Sequence, residues 1–433
     1  MLFLLRKLGA RLFGSKYEIA KLRKQLVTQW HELDATRHAK DKEVRGLWEH
    51  AHKLDAALQR LDGLYRAARS GTYDFLTHSF GTEAPTVPSV IVPDLKPTEG
   101  DVRIADRLLR AYRRAAEEER RRGEAQAKPL PAEFSRALQK NDPAELAAYL
   151  CNMGRQEATT GITQGNPEHD KIASDRAHRD RLALRLKDRL LSLAELVGAV
   201  ACENPDQGPW GQALHRDIDT IAEAVAGAFG IDIAPPPIDG GLLKVPTARG
   251  LFCEHDCQGL ATAWRLRQLL GPLAGAAVCE IGAGAGRAAY WSRRLGCDSY
   301  TAFALPHVNV LQGFYLLKAL GEEGVFLYGE RPAPEMGGGV SVLPDIAMDR
   351  IPPRSFDLVL NQGSFPETSP EVVRGHLEWT RAATKRYFYS LNHEGGSPRV
   401  SELVTEAGGF RRVSRAPDWM RRGGVVELYA VEG

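Results

Sequence analysis

The sequence predicts an α/β domain at the C-terminus, built on a mainly parallel sheet of seven strands. A helical region and an N-terminal coiled coil precede it. Three observations carry this reading. After Gly250, short apolar runs alternate with helical stretches. Between residues 131 and 230 the texture is helical, broken at Asn141–Pro143, Thr160–Pro167 and Asn204–Pro209. From Tyr17 to about Arg69, apolar residues recur seven apart. Parallel strands need helical crossovers, and heptads sustained over this length argue for a coiled coil.

The first elements are basic. Met1, Leu4, Leu5, Leu8 and Leu12 recur at helical spacing, with Arg6, Lys7, Arg11 and Lys16 among them. Such a helix suits an anionic membrane surface, and peripheral contact at the inner membrane face is one expectation. The alternative is a helix packed on its own protein. Next come Ile19, Leu26, Leu33, Lys40, Leu47, Leu54 and Leu61, with a second stripe of Val44, Ala51, Leu58 and Tyr65. A homo-oligomer formed through this coiled coil is expected. Residues 1–72 hold 15 Lys and Arg against 8 Asp and Glu, while the whole chain has a net charge of only +2. Basic character is therefore confined to the arm, and no aromatic-basic stripe suggests nucleic acid. No apolar run approaches the ~18 residues of a membrane span, and a cytoplasmic location is expected. The expected organisation is an arm at 1–70, a linker at 71–100, a helical domain at 101–245 and the α/β domain at 246–433.

Within that domain the expected strands are Ala276–Ile281, Ser299–Ala304, Val340–Leu343, Phe356–Leu360, Arg386–Leu391, Phe410–Ser414 and Val425–Val431. The last two read as an antiparallel hairpin. A helix from about Cys257 to Leu270 leads in. The first strand runs into Gly282, Gly284 and Gly286, then a helix. Alternate glycines let the backbone turn sharply and approach a ligand, and the helix N-terminus adds free N–H donors. Arg287 stands where a Gly-x-Gly-x-x-Gly dinucleotide fingerprint would need its last glycine, which weakens that reading. Glu280, at the carboxyl end of the strand, can meet a cationic group.

Glu-x-Gly-x-Gly-x-Gly after an apolar strand resembles the first motif of class I S-adenosylmethionine-dependent methyltransferases, a Rossmann-like fold of seven strands. Four further segments narrow the resemblance. They are DCQGLATAWRLRQLL, ALPHVNVLQGFYLLKAL, FDLVLNQGSFPE and YFYSLNHEG. With EIGAGAGR they resemble the sugar O-methyltransferases of bacterial polysaccharide gene clusters, over roughly residues 245–433. The resemblance implies S-adenosyl-L-methionine as cofactor and a hydroxyl on a saccharide or lipid-linked saccharide as acceptor. One departure stands out. The family's Asp before Leu-Pro is Ala304 here. That acid normally binds the cofactor ribose. Its loss removes a charged acceptor worth roughly 1.5–3 kcal/mol, unless Asn309 or Gln312 substitutes. A catalytically degenerate scaffold that oligomerises through its coiled coil is the alternative.

The resemblance places Glu280, Gly282, Gly284, Gly286, Asn361 and Gln362 around the cofactor. Asp345, after the third strand, would approach the adenine. Methyl transfer to a hydroxyl needs a positioned oxygen and a base. His393, just past the fifth strand, has a side chain suited to proton transfer near neutrality, and Glu367 follows the fourth strand on the same rim. Glu367 could instead be an N-terminal acid of a helix over Thr368–Trp379. His255, Asp256, Ser364, Asn392 and Glu394 are expected to contact acceptor; Ser364 and Asp256 are also potential helix caps. Cys253, His255 and Cys257 lie close together, but no second pair completes a zinc set, so no metal site is expected. The polar loop 154–170 is a further candidate for the acceptor pocket.

Overall fold

A computed structural model describes residues 21–22, 24–29, 31, 50–59, 85–122, 130–203, 212–331 and 337–432. It falls into two units, Met1–Ser79 and Phe80–Gly433. In the first, residues 24–29 and 50–59 are helical. Ala51, Leu54 and Leu58 are partly covered while His52, Lys53 and Asp55 are exposed, a stripe at helical period. The basic start and the heptad positions Ile19, Leu33, Lys40, Val44, Leu47, Leu61 and Tyr65 lie outside the described residues. No helix among the described residues is long and apolar enough to cross a membrane.

The second unit is organised by an eight-stranded sheet. Its strands are β4 (Ala277–Ile281), β5 (Ser299–Ala304), β6 (Val325–Leu327), β7 (Gly339–Pro344), β8 (Phe356–Gln362), β9 (Thr384–His393), β10 (Phe410–Pro417) and β11 (Gly424–Val431). They lie in the order β10-β11-β9-β8-β4-β5-β7-β6. β4 to β9 run parallel; β11 is antiparallel to both β9 and β10. All seven expected strands are present, and so is the closing hairpin. The eighth, β6, is an addition: three residues pairing Val325 with Val340 at the far edge. It was too short to give a sequence pattern.

The strand order reverses beside β4, so β4 and β8 flank a switch point at the carboxyl edge, where ligands of such sheets bind. β4 is buried almost throughout, and Glu280 is its single charged residue.

Before the sheet come β1 (Val90–Ile91), then helices α1 (Glu99–Arg122), α2 (Ala132–Lys140), α3 (Pro143–Leu150), α4 (Asn166–Ser174), α5 (Arg176–Leu196), α6 (Gln212–His215) and α7 (Ile218–Phe229). β2 (Leu243–Thr247), β3 (Gly250–Phe252) and α8 (Glu254–Leu270) follow. Two expectations about boundaries change. The stretch read as a linker carries β1, whose Val90 and Ile91 pair with Lys244 and Leu243 of β2. The boundary at residue 245 cuts β2, and one hydrophobic core runs from Val87 through Phe134, Leu190 and Phe229 to Leu428. The helical region is thus not a separate body; it shares a core with the sheet.

The remaining helices are α9 (Arg287–Arg294), α10 (Pro306–Leu320), α11 (Pro370–Ala383) and α12 (Val400–Ala407). α1 straps α10. Its Arg107 donates to Glu330 Oε2 and to the Val325 carbonyl, both at 2.7 Å, tying the strap to the sheet edge.

Candidate functional site

The glycine loop leaves β4 with Gly282 and Gly284 at φ 72° and 50°, the left-handed region that side chains disfavour. A Cβ at Gly282 would lie 2.1 Å from Ser364 Oγ, so only glycine fits. At Gly284 the nearest atom to such a Cβ is Ile162 Cγ2 at 3.9 Å, leaving the loop's crest open toward the 154–170 segment. Gly286 precedes α9 and completes the turn.

Glu280 is 2% exposed. Tyr300 Oη donates to its Oε2 and Gln362 Nε2 to its Oε1, each at 2.7 Å. Burial nevertheless raises its pKa, because two neutral donors do not replace the lost water. Gln362 in turn accepts from Thr262 Oγ1 of α8 at 2.7 Å. A hydrogen-bonded chain thus runs from α8 through β8 to β4. Each carboxylate oxygen keeps lone-pair capacity for a cationic ligand group.

Two buried acceptor oxygens at this loop, Gln312 Oε1 and Asn361 Oδ1, have no hydrogen-bond partner among the described residues; Asn309 Oδ1 has none either, but it lies toward α1, beside Leu108 and Tyr112. Unpaired buried acceptors are costly, which favours a ligand that supplies donors. Gln312 Nε2 reaches the Gly284 carbonyl at 3.4 Å, and Asn361 Nδ2 donates to the Ile281 carbonyl at 2.9 Å. Both amides therefore touch the glycine loop or its strand. Ala304, buried, closes β5, so that strand ends without an acid. Asp345 opens a short turn after β7. Burial lowers the His307 pKa to about 4, leaving a neutral ring at pH 7.

On the rim, the structure brings the two expected bases together. His393 Nε2 lies 3.7 Å from Glu367 Oε1, both side chains partly exposed at 42% and 76%. Gly395 N–H donates to His393 Nδ1 at 3.3 Å, which assigns that nitrogen as acceptor. Glu367 sits in the short turn Phe365–Glu367, and α11 begins only at Pro370, so it is not a first-turn acid of that helix.

The expected acceptor contacts at Asp256 and Asn392 are corrected, while His255, Ser364 and Glu394 keep part of their surface open. Asp256 is fully buried: its Oδ2 accepts from the Cys253 backbone N–H at 2.9 Å, and its Oδ1 pairs with Arg287. It caps α8 and cannot reach an acceptor. His255 beside it is half-buried, its pKa lowered by burial and by Arg287. Asn392 is 4% exposed; its Oδ1 accepts from Gly363 N–H and its Nδ2 donates to Ser390 Oγ, both at 2.9 Å. It holds the turn after β8. Ser364 Oγ accepts from Asn361 Nδ2 at 2.5 Å and caps no helix. Glu394 pairs with Arg415 at 2.7 Å, which holds its carboxyl below the usual range.

Sequence reasoning missed one cluster. Arg287 donates to Asp239 Oδ1 at 2.7 Å and pairs with Asp256, while Lys244 Nζ holds Asp239 Oδ2 at 2.8 Å. All four side chains are nearly or fully buried. Arg287 also lies over the Tyr315 ring, 4.4 Å from its centroid. The arginine that replaced a glycine in the loop pattern was the available signal; its two partners lay outside that pattern.

Solved structures similar to this chain include a SAM dependent methyltransferase from Aquifex aeolicus. It is 18% identical over 39% of this chain and 89% of that one, with a TM-score of 0.27. Magnesium protoporphyrin IX methyltransferase from Synechocystis PCC 6803, with bound SAM, is 13% identical over 41% and 81%, TM-score 0.30. The 1,6-didemethyltoxoflavin-N1-methyltransferase of Burkholderia thailandensis is 19% identical over 40% and 79%, TM-score 0.27. No family model and no curated protein matches the sequence.

Proposed function

We propose that this chain is an S-adenosylmethionine-dependent O-methyltransferase whose acceptor is a sugar hydroxyl, on a saccharide or lipid-linked saccharide of bacterial surface-polysaccharide or related glycan assembly. The observation that carries the reading is the placement of two groups at one carboxyl edge. Glu280 and the glycine loop end β4; His393 ends β9 and its partner Glu367 follows β8. In its methionine end the cofactor carries an ammonium that Glu280 would hold, with Gly282, Gly284 and Gly286 lining the approach. Gln312 and Asn361 would accept its remaining hydrogen-bond donors, Gln312 standing in for the acid absent at 304.

When bound, S-adenosylmethionine supplies a methyl group on sulfonium sulfur, and the bond pair returns to sulfur as the methyl leaves. The chain's task is to place the acceptor oxygen in line and to take its proton. His393 Nε2 takes that proton, and Glu367 stabilises the resulting imidazolium. Gly395 N–H, at Nδ1, leaves Nε2 as the nitrogen facing the carboxylate and the acceptor. A neutral imidazole with Nδ1 as acceptor carries its proton on Nε2, so the ring becomes a base at Nε2 only after it takes a proton from water at Nδ1, where the Gly395 contact gives way, and releases the Nε2 proton to Glu367 or water.

Ala304 favours a second reading, a degenerate scaffold that oligomerises through the arm. Incubating the full chain with S-adenosylmethionine and candidate oligosaccharides, and weighing the products, separates the two. A gain of one CH2 on a saccharide supports the enzyme. No gain, together with unaltered surface glycan in a deletion strain, supports the scaffold.

A further inference from the structure

A cavity of about 250 Å³ lies between α8 and the sheet's β9–β11–β10 end. At ~30 Å³ per liquid water it has the volume of about eight waters, room for one six-membered ring. Its floor is apolar, formed by Tyr389 and Leu391 of β9 and Leu428 of β11. Its rim is polar: Gln258 and Arg265 of α8, and Asp418 with Trp419 in the turn between β10 and β11. Trp419 is 53% exposed, a large aromatic face that the fold leaves open. Asp418 Oδ1 caps the turn by accepting from Met420 N–H at 3.0 Å, while its Oδ2 is buried without a partner.

The position matters as much as the lining. Side chains alternate along a strand, so Tyr389, Leu391 and His393 share one face of β9. His393 therefore stands one repeat, about 6.6 Å, beyond the cavity floor at the strand's carboxyl end. The wall residue Thr262 begins the hydrogen-bonded chain through Gln362 to Glu280. The cavity thus adjoins both halves of the candidate site.

The rim holds one cation, Arg265, and one anion, Asp418, so its charge favours a neutral ligand over a phosphate or an amine. An apolar floor, an aromatic platform and planar hydrogen-bonding groups suit a ring with C–H faces and hydroxyl edges. We propose that this cavity is the acceptor subsite and holds a neutral sugar ring, with Trp419 stacked on it and Gln258, Arg265 and Asp418 meeting its hydroxyls. The inference rests on the methyltransferase reading for its name as an acceptor site, but the binding itself needs no cofactor.

The test is saturation-transfer NMR on the full chain with methyl glycosides of neutral hexoses and 6-deoxyhexoses, and cyclohexanol as the apolar control. At least one glycoside should give a response that cyclohexanol does not. Trp419→Ala, at a half-exposed position with little folding risk, should weaken that response about tenfold, and Ala261→Phe should fill the cavity and abolish it. No glycoside response, a stronger response to cyclohexanol, or full binding by Trp419→Ala would each overturn the proposal. Glycoside binding in a chain that fails to bind S-adenosylmethionine would leave the cavity standing and remove the methyltransferase reading; the reverse result would do the opposite.

Discussion

The buried cluster around Arg287 and the rim pair His393–Glu367 are both arrangements of opposite charges, yet they are built for different ends. In the cluster, Asp239, Lys244, Asp256 and Arg287 are excluded from water and joined by short hydrogen bonds. They pin β2, α8 and α9 together directly behind the glycine loop. On the rim the partners stand 3.7 Å apart and partly wet. A dry, fully paired cluster fixes geometry, since breaking it leaves a bare buried charge. A loose, solvated pair contributes little stability and stays open to exchange protons with water. The molecule thus places a dry, fully paired cluster under the loop and a solvated, loosely paired one at the edge.

Substitutions on the two sides should separate activity from stability. The largest effect is expected at His393. His393→Ala should lower methyl transfer by about 10²–10⁴-fold while cofactor affinity and melting temperature stay close to wild type. Unchanged turnover, measured in a radiolabelled methyl-transfer assay, would remove His393 from the chemistry. Arg287→Met should do the reverse. It leaves Asp239 and Asp256 short of a cation and should cost about 3–5 kcal/mol in urea unfolding, with any folded fraction keeping its rim chemistry. A loss below about 1 kcal/mol would mean that the cluster is not what pins the loop.

Glu280 lies between these extremes, and its pH dependence can be worked out. Its pKa in the folded chain is raised above 4.5 by burial. Below that value the group is protonated in both folded and unfolded chains and carries no penalty. As pH rises through the raised value, the ionised, buried form costs stability, and above it the cost is constant. Glu280→Gln should therefore melt higher than wild type by a margin that is smallest near pH 4.5 and grows toward neutrality, while losing cofactor binding. A margin that shrinks with rising pH would contradict the burial argument. The smallest effect is expected at Glu394. Its pair with Arg415 is at the surface, and Glu394→Gln should change stability by less than about 1 kcal/mol and leave turnover intact.

Much of the sheet was legible because its strands are apolar runs closed by glycine or proline, and because Glu280 interrupts β4 at a telling place. The rim pair was legible for the same reason: both residues follow strand ends, where the topology must bring them to one edge. β6 was not, since three residues give no period. Nor were the acceptor contacts assigned to Asp256 and Asn392. A polar residue near a strand or helix end can serve the backbone as readily as a ligand, and only the structure shows that Asp256 caps α8 and Asn392 holds Gly363. The separation of a helical domain from the sheet failed because a proline-rich connector marks a turn in the chain, not a break in the core. The Arg287 cluster joins residues 48 and 31 positions apart, a reach that no local pattern encodes.

The central claim is that the β4 loop holds S-adenosylmethionine although no acid follows β5. Isothermal titration of the full chain with S-adenosylmethionine and with S-adenosylhomocysteine tests it most directly. The account predicts saturable binding of both at one site per chain, lost in Glu280→Gln and weakened in Gln312→Ala. No binding of either at millimolar concentration, from a folded chain, would contradict it.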